Sequence, residues 1–420
     1  MSPRTHKRSS TKNPDPGPLT TTTEIARQVI RILFVDDEQN ILHAMQRSLH
    51  GMRNEWSMQF APGGAEALAL LAAAPVDVIV SDMRMPGMDG WQLLTEVKTL
   101  YPKTVRLILS GHAEATSIMR AVGVAHQYIA KPCDGGVVKQ AIARTQQLRS
   151  IISNDELASL VGRVGMLPSA PQAFQDVLQC LQNPSATIST IARIIARDVA
   201  MTANIMKMVN SAFFGARQPI ISTDRAVAYL GLDTLGALVL GHTVFRSGRP
   251  TEIADFTLQT LWAHSLQTGV AARAIAVCEE LPSAEAERAF LAGVLHDVGK
   301  VVFATSRASA ADTLKTDAEK VTYMQSHHAA VGAYLLGLWG FPNPIVEAVA
   351  FHHAPSRVST GALSLADLVH AADQLIHQRQ PDACMEEQGF EAEFTQRYDL
   401  NKRLPRWNAA LDAVSTEPGT

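Results

Sequence analysis

Residues 76–90 read VDVIVSDMRMPGMDG, and this stretch decides what the first third of the chain can be. It opens with a short β-branched apolar run, typical of an interior parallel strand, and that run stops at the carboxylate of Asp82. A loop of Met, Pro and Gly follows, and Asp89 with Gly90 marks the start of a helix. The pattern predicts a strand that delivers Asp82 to its C-terminal end, where open α/β sheets gather ligands and chemistry.

The segments around this stretch alternate between strand-like and helix-like patterns. Apolar residues at helical spacing separate the strands, and a closing helix is predicted over about 134–149. The predicted strands are Ile32–Val35, Trp56–Phe60, Val76–Val80, Val105–Leu109 and His126–Ala130. Five such units predict a flavodoxin-like, doubly wound α/β domain whose parallel strands have the order 2-1-3-4-5.

Polar side chains stand at the ends of these strands. Asp36 and Asp37 follow the first strand, Asp82 the third, Ser110 the fourth and Lys131 the fifth. The strand order brings the carboxylates into one crevice, where their mutual repulsion favours a divalent cation such as Mg²⁺. With Mg²⁺ held by Asp36 or Asp37 and by Asp82, an oxygen of Asp82 stays free to attack a phosphoryl group. Lys131 and Ser110 would then supply a positive charge and a hydroxyl donor to the phosphoryl oxygens.

Taken together, residues 31 to about 148 resemble the receiver domain of bacterial two-component response regulators. The matching positions are Asp36, Asp37, Asp82, Ser110, Tyr128, Lys131 and Pro132. The resemblance implies a phosphorelay in which a histidine kinase or phosphotransfer protein phosphorylates Asp82. It also implies that Ser110 and Tyr128 then reorient the face around the fourth and fifth strands. An inert flavodoxin-like domain is the alternative, because each residue alone also suits a loop or helix cap.

Length and composition limit the function classes. The 420 residues are 46% hydrophobic, which predicts two or three domains with their own cores. The net charge is −3 and the sequence has no dense Lys/Arg run, so it shows no basic surface that would bind nucleic acid or an anionic membrane. No stretch is long and apolar enough to span a bilayer, and four widely spaced cysteines suit a reducing compartment. We therefore expect a cytoplasmic protein with no nucleic-acid or membrane partner.

Beyond the α/β pattern the chain shows helical patterns without a further strand signal. The predicted divisions are a disordered tail over 1–29, an α/β domain over 30–148, a helical linker over 149–166 and an all-α domain over 167–378. Residues 379–420 form a C-terminal segment that could pack Trp407 and Leu411 on the helical domain.

Histidine is concentrated in this second part, where nine of the 14 lie between His242 and His377. The pair His296-Asp297 follows an apolar run, and its two side chains would be directed to neighbouring positions. A carboxylate placed there can bridge two metals. Imidazole and carboxylate together suit Fe, Mn, Zn or Co without selecting one. A lone histidine, by contrast, is more often structural.

Residues from about 157 to at least 373 resemble the HDOD domain, a relative of the HD metal-dependent phosphohydrolases. The match rests on LPSAP at 167–171, VNSAFFG at 209–215 and the block from GVLHDVGK at 293–300 to AVAFHH at 348–353. It implies a binuclear Fe, Mn or Zn centre with Lys300 beside it. The implied ligands are His264, His296, Asp297, His328, His352, His353 and Asp373. The same side chains could instead persist as buried, hydrogen-bonded polar groups.

Two departures from the related HD-GYP phosphodiesterases argue against cyclic di-GMP hydrolysis. The His pair is followed by Ala354-Pro355 without their Glu and Gly-Tyr-Pro loop, and Thr260 stands where they have a Glu. We therefore expect a response regulator whose HDOD domain acts on a downstream signalling protein by protein–protein interaction. The alternative is a phosphorylation-gated, metal-dependent phosphohydrolase acting on a nucleotide or cyclic nucleotide. A homodimer formed through the receiver is compatible with either hypothesis.

Overall fold

The structure is a computed structural model that describes most of the chain. It covers residues 29–110, 123–131, 135–152, 154–169, 171–181, 183, 185–211, 218–232, 234–235, 258–305, 316–358, 361–379 and 389–415. The tail up to residue 28, Pro132 and the second half of the VNSAFFG motif lie outside these residues.

The first domain is a parallel five-stranded sheet flanked by helices. Its strands are β1 (Ile30–Val35), β2 (Trp56–Ala61), β3 (Val78–Asp82), β4 (Val105–Ser110) and β5 (Gln127–Ala130). Its described helices are α1 (Gln39–Ser48), α2 (Gly64–Ala73), α3 (Gly90–Leu100) and α4 (Gly135–Arg149). The strands pair in the order β2-β1-β3-β4-β5, which confirms the predicted fold class.

The register of the sheet brings the predicted polar residues to one edge. Val35 of β1 pairs with Ser81 of β3, so Asp36 and Asp82 leave the sheet at the same level. Ser110 at the end of β4 pairs with Ala130, the residue before Lys131. Because all these strands are parallel, their C-terminal ends form one crevice.

After β5 the described part of the chain is entirely helical, as predicted. The first helices are α5 (Asp155–Gly162), α6 (Pro171–Leu181), α7 (Ile188–Ala196), α8 (Val199–Val209) and α9 (Thr223–Leu230). Then follow α10 (Leu258–Cys278), α11 (Ser283–Leu295), α12 (Val298–Thr305), α13 (Asp317–Leu338) and α14 (Asn343–Phe351). The last are α15 (Leu365–Arg379), α16 (Ala392–Arg397) and α17 (Leu400–Ser415). In the described residues, no helix has the length and apolar character needed to cross a membrane.

One cluster of buried apolar side chains runs through both domains. It includes Ile32 in the sheet, Leu160 in α5 and Leu335 in α13. A second cluster joins α10 and α15 to the C-terminal helices, and Trp407 of α17 is fully buried in it. Burial on this scale is the main favourable contribution to folding, so the two domains are packed together rather than loosely tethered.

A buried arginine fixes α5 to the α/β domain. Arg106 of β4 is 0% exposed, and its guanidinium donates hydrogen bonds to the carbonyl oxygens of Val124 (2.7 Å) and Gly162 (2.6 Å). Gly162 ends α5, and a Cβ added there would lie 1.8 Å from the carbonyl oxygen of Pro102. The backbone of α5 therefore lies directly against the α/β domain, at the end of the sheet opposite Asp82.

The closing helix of the α/β domain contacts the C-terminal end of α13. Leu148 of α4 packs on Gly337, where an added Cβ would lie 2.2 Å from Leu148 Cδ2. Arg144, also on α4, donates hydrogen bonds to the carbonyl oxygens of Gly340 and Phe341 just after α13. Helix α4 and the end of α13 are thus held together by both packing and hydrogen bonds.

Candidate functional site

The crevice at the edge of the sheet contains two carboxylates joined by one lysine. Lys131 Nζ lies 2.8 Å from Asp36 Oδ2 and forms a second ion pair with Asp82 Oδ1. The remaining oxygens accept backbone hydrogen bonds, from Glu38 N–H to Asp36 Oδ1 (3.0 Å) and from Arg84 N–H to Asp82 Oδ2 (2.7 Å). Both carboxylates are therefore held in fixed orientations at the C-terminal edge of the sheet.

The charge of Lys131 is stabilised by this arrangement. Burial alone would lower the pKa of Lys131, but its hydrogen bonds and charge interactions with Asp36 and Asp82 outweigh burial and raise it. The ammonium thus compensates two neighbouring negative charges. Carboxylate oxygens are the ligands that Mg²⁺ prefers, so Asp36 and Asp82 fit a magnesium site.

Three other predicted residues are placed differently. Asp37 is exposed at the rim of the crevice. Tyr128 is only 8% exposed, its hydroxyl has no hydrogen-bond partner among the described residues, and burial raises its pKa well above the usual value. The structure places the backbone of Ser110 at the end of β4, while its side chain lies outside the described part.

A glycine shapes the loop after Asp82. Gly90 opens α3, and a Cβ added there would lie 2.1 Å from the Asp82 carbonyl oxygen. Asp89 caps the helix, because its side chain accepts a hydrogen bond from Gln92 N–H at 2.7 Å. The close approach of Gly90 to the strand fixes the path of the loop beside Asp82.

The second candidate site is a cluster of histidines and aspartates between the helices of the C-terminal domain. Asp373 of α15 is one of its centres: Oδ1 lies 2.9 Å from His264 Nε2, 3.1 Å from His377 Nδ1 and 3.6 Å from His296 Nε2. His264 comes from α10 and His296 follows α11. Three helices thus meet at one carboxylate oxygen.

Asp297 is the other centre of the cluster. It lies between the group around Asp373, which includes His264 and His296, and a second group formed by His328, His352 and His353. Its Oδ2 lies 3.3 Å from His296 Nε2 and 2.6 Å from Lys300 Nζ. Its Oδ1 lies 3.2 Å from His328 Nε2 but is buried and makes no hydrogen bond to a described residue. A carboxylate with one oxygen in each half of the cluster has the placement of a bridging ligand.

The second half is completed by three imidazoles. His328 Nε2 lies 3.4 Å from His352 Nε2 and 3.0 Å from His353 Nε2. Two ligand atoms that each lie about 2.0–2.2 Å from one ion are about 3–3.5 Å apart, so these separations match those around a shared metal. Together with the orphaned oxygen of Asp297, this donor set fits a metal ion.

Backbone carbonyls orient three of the rings. The Nδ1 atoms of His296, His328 and His352 lie 2.7–2.8 Å from the carbonyl oxygens of Gly293, Gln325 and Val349. A carbonyl oxygen only accepts, so each Nδ1 carries the proton and Nε2 faces the cluster. This is the arrangement that presents a neutral imidazole to a metal.

Without a metal, the imidazolium of His296 and the ammonium of Lys300 together balance the two carboxylates. Burial alone would lower the pKa of His296, but Asp297 and Asp373 outweigh it and raise that pKa to about 10. Burial opposes ionisation of both carboxyls, yet the charges and hydrogen bonds around them hold their pKa values well below the usual range. Burial and the neighbouring imidazoles lower the pKa of His353 to about 3 and that of His352 well below its ordinary value.

All seven predicted ligands converge in this cluster, with Lys300 beside it, and His377, which was not predicted as a ligand, also contacts Asp373. This residue lies four positions after Asp373 on α15, so a carboxylate and an imidazole share one helix face. That spacing is the sequence signal that could have predicted His377 as part of the cluster.

His370 has a different role: its Nδ1 donates a hydrogen bond to the His352 carbonyl oxygen at 2.7 Å. Its Nε2 accepts one from Glu391 N–H, which ties the C-terminal segment to the cluster.

Comparison with protein families finds a known domain in each of the two parts of the chain. Residues 32–143 match the family model of the response regulator receiver domain, and residues 167–355 match that of the HDOD domain. The chain joins a receiver domain to an HDOD domain. It thus has the architecture of a response regulator with an HDOD output domain, as the sequence analysis predicted. Receiver domains in general bind Mg²⁺, HD-type domains bind metals, and a receiver implies a histidine kinase or phosphotransfer partner.

Several individual proteins are similar to parts of the chain. An uncharacterized protein of Treponema pallidum (strain Nichols) is 28% identical over 206 residues, 47% of this chain and 39% of that protein. The DNA-binding transcriptional regulator NtrC of Escherichia coli (strain K12) is 32% identical over 158 residues, 36% of this chain and 32% of NtrC. The chain therefore spans less than half the length of these curated relatives.

Two solved structures are also similar. The MmoQ response regulator from Methylococcus capsulatus str. Bath is 21% identical with a TM-score of 0.45, over 59% of this chain and 98% of that one. The signal receiver domain of an HD domain-containing protein from Pseudomonas fluorescens Pf-5 is 31% identical with a TM-score of 0.27. The similarity covers 29% of this chain and 96% of that one.

Proposed function

We propose that the protein is a response regulator of a two-component phosphorelay in which a histidine kinase or phosphotransfer protein phosphorylates Asp82. The observation that carries this proposal is the double ion pair of Lys131 with Asp36 and Asp82. An oxygen of Asp82 forms the new bond to phosphorus while the bond from phosphorus to the donor's imidazole breaks. Lys131 would stabilise the transferred phosphoryl oxygens. Bound Mg²⁺ would add further neutralisation of those oxygens, with Asp36, Asp37 and Asp82 as its ligands.

In this proposal, helices α4 and α13 would carry the effect of phosphorylation from the receiver to the HDOD domain. Lys131, which contacts the acceptor, lies at the end of β5, and α4 is the next described helix. At its other end α4 contacts the end of α13 through Arg144 and Leu148. Helix α13 also carries His328 of the cluster. A phosphoryl group that draws Lys131 away from Asp36 would thus act on an element directly connected to the HDOD core.

We propose that the HDOD output acts by binding a downstream signalling protein rather than by turnover. The burial of the cluster favours this role. His296, Asp297, His328, His352 and Asp373 are all at most 2% exposed. A catalytic metal site keeps an open position for water or substrate, whereas a structural site is closed. A metal held by these residues would stabilise the arrangement of α11–α15 that the partner recognises.

A metal-dependent phosphohydrolase is the second candidate, and the spacing of the donor atoms favours it. His264, His296, Asp297 and Asp373 could hold one ion, and Asp297, His328, His352 and His353 a second. Two such ions, of Fe, Mn or Zn, would supply a bridging hydroxide and polarise a phosphoester. His264, His353 and His377 are partly exposed and mark the side from which a nucleotide or cyclic nucleotide would enter.

Phosphorylation can be tested by intact-mass measurement after incubation with acetyl phosphate and Mg²⁺. We expect one phosphoryl group on the wild type and none on Asp82→Asn. Phosphorylation that persists in the variant would contradict the assignment of the acceptor.

Elemental analysis of protein purified without added metal addresses the output domain. We expect Fe, Mn or Zn in the wild type and its loss in Asp297→Asn. If phosphorylation alters binding of the downstream partner equally in both proteins, the hydrolase hypothesis loses its basis. If phosphoester turnover depends on both Asp82 and Asp297, the hydrolase hypothesis replaces the binding role.

A further inference from the structure

A cavity of about 230 Å³ lies between four helices of the HDOD domain, with no residue of the histidine cluster in its lining. It is formed by α7, α9, α10 and α11, and its walls include Ala192, Ala196 and Val270. A second cavity of about 450 Å³ adjoins it between α6, α7 and α10. Arg197 and Leu266 line both, so the two form one elongated groove.

Three arginines line the first cavity. Arg193 and Arg197 are four residues apart and share one face at the end of α7, and both are exposed. Arg273 of α10 stacks its guanidinium over the ring of Phe290 at 5.2 Å. Within the described residues none of the three forms an ion pair, so their guanidinium donors are available to an anion.

The other polar groups of the groove are of a different kind. Asp224 and Glu287 add two carboxylates to the first cavity, which keeps one excess positive charge, and Asp176 adds a third carboxylate in the second cavity, so the groove as a whole is neutral. Trp262 lines the second cavity, and its indole N–H is buried without a hydrogen-bond partner among the described residues. Gln172 and Gln259 line the same cavity, where the Gln172 amide N–H donates a hydrogen bond to Asp176 Oδ1 at 2.8 Å.

We propose that this groove binds a nucleoside phosphate. The phosphate lies on the three arginines, since planar guanidinium groups match phosphate geometry with two parallel hydrogen bonds. The ribose hydroxyls donate to Asp224 or Glu287, and the base occupies the adjoining cavity against Trp262. The HDOD domain would then receive a small-molecule signal in addition to the phosphoryl group on Asp82.

The shape and chemistry of the groove select this class over two others. A simple anion would use the arginines but not the second cavity, which is the larger of the two. An acidic peptide carries carboxylates along its length and would place some of them against Asp176, Asp224 or Glu287, whereas a nucleoside phosphate carries its negative charge at one end and can present hydroxyls to these carboxylates. A nucleoside phosphate satisfies the cationic, carboxylate and aromatic parts of the groove together.

Calorimetric titration of the full chain with GDP and ADP tests the proposal, with adenosine and inorganic phosphate as partial ligands. We expect saturable binding of at least one nucleotide and at least tenfold weaker binding of both partial ligands. Arg193→Gln and Arg197→Gln should each weaken nucleotide binding about tenfold, since each removes a charged, bidentate contact. Arg225→Gln is the matched control, because Arg225 is exposed on α9 but does not line the cavity.

Three results would overturn the proposal. They are no saturable binding of either nucleotide up to millimolar concentration, equal binding of inorganic phosphate, and equal weakening by Arg225→Gln. Asp297→Asn separates this groove from the metal centre: nucleotide binding should persist in that variant, and its loss would place the ligand in the histidine cluster instead. Quenching of tryptophan fluorescence by the nucleotide should disappear in Trp262→Phe, and unchanged quenching would contradict the placement of the base.

Discussion

Metal binding to the histidine cluster should release one proton, and that proton should come from His296. In the metal-free cluster Asp297 and Asp373 raise the pKa of His296 to about 10. Its Nδ1 is committed to the Gly293 carbonyl oxygen, so the exchangeable proton is on Nε2, the atom that a metal needs. The pKa values of His352 and His353 are lowered, so those rings are already neutral.

The size of the effect follows from this pKa. Near pH 7.5, about 2.5 units below it, removing the proton costs about 3.5 kcal/mol, at about 1.4 kcal/mol per unit. Because the protonated form predominates below pH 10, metal and proton compete throughout the neutral range. The association constant for Zn²⁺ or Mn²⁺ should therefore rise about tenfold for each pH unit between 6.5 and 8.5.

Isothermal titration in buffers of different ionisation enthalpy measures the number of protons directly. We expect a value near one for the wild type, and a value near zero with weakened binding for His296→Gln. His327→Gln is a matched control, because His327 lies on α13 with its Nδ1 on the Tyr323 carbonyl oxygen and outside the cluster. Metal binding that is independent of pH and releases no proton would refute the assignment of His296 as a protonated ligand.

Two further predictions concern the scaffold of the sites. Gly90→Ala should destabilise the receiver by about 1–3 kcal/mol in urea unfolding, because the added Cβ would clash with the Asp82 carbonyl oxygen. Gly51→Ala is the control: a Cβ added there would meet no atom within 4 Å, so this change should be close to neutral. Equal effects would contradict the packing described for Gly90. Arg144→Met should lower the free energy of unfolding by about 1–3 kcal/mol, because the Gly340 and Phe341 carbonyl oxygens would lose their donor. Lys139→Met, on the exposed face of α4, should leave the free energy of unfolding unchanged. Unchanged stability of the Arg144 variant would show that this contact contributes little.

The crevice at the sheet edge was predictable because it depends on strand order. Asp36, Asp82 and Lys131 each follow an apolar strand, and parallel strands leave their C-terminal ends on one edge. No knowledge of side-chain packing is needed for that step. The place of Asp37 at the exposed rim does depend on packing, and the sequence treats it as equivalent to Asp36.

The histidine cluster was predictable as a set of residues but not as an arrangement. The division between Asp297 and Asp373 arises from how α10, α11, α13 and α15 pack, and no local pattern encodes it. His377 was not predicted as a ligand, since an imidazole near a helix end is ordinarily solvated, although its spacing of four residues from Asp373 places both side chains on one helix face.

The contact between the domains could not be read from the sequence. Arg106 lies in an apolar strand, and its acceptors, Val124 and Gly162, come from distant segments of the chain. A buried arginine without an adjacent acidic residue gives no pattern to search for. The Gly162 carbonyl oxygen reaches Arg106 only once α5 is docked, so this interface is a product of the tertiary structure.

Hydrogen exchange of the full chain, with and without acetyl phosphate and Mg²⁺, tests the central claim most directly. Helix α4 of the receiver contacts the end of α13, the helix that carries His328 of the histidine cluster. Phosphorylation of Asp82 should therefore change hydrogen exchange in peptides covering residues 317–341. The change should be absent in Asp82→Asn and reduced in Arg144→Met. A phosphorylated wild type whose exchange over 317–341 is unchanged would contradict control of the HDOD domain by the receiver through these helices.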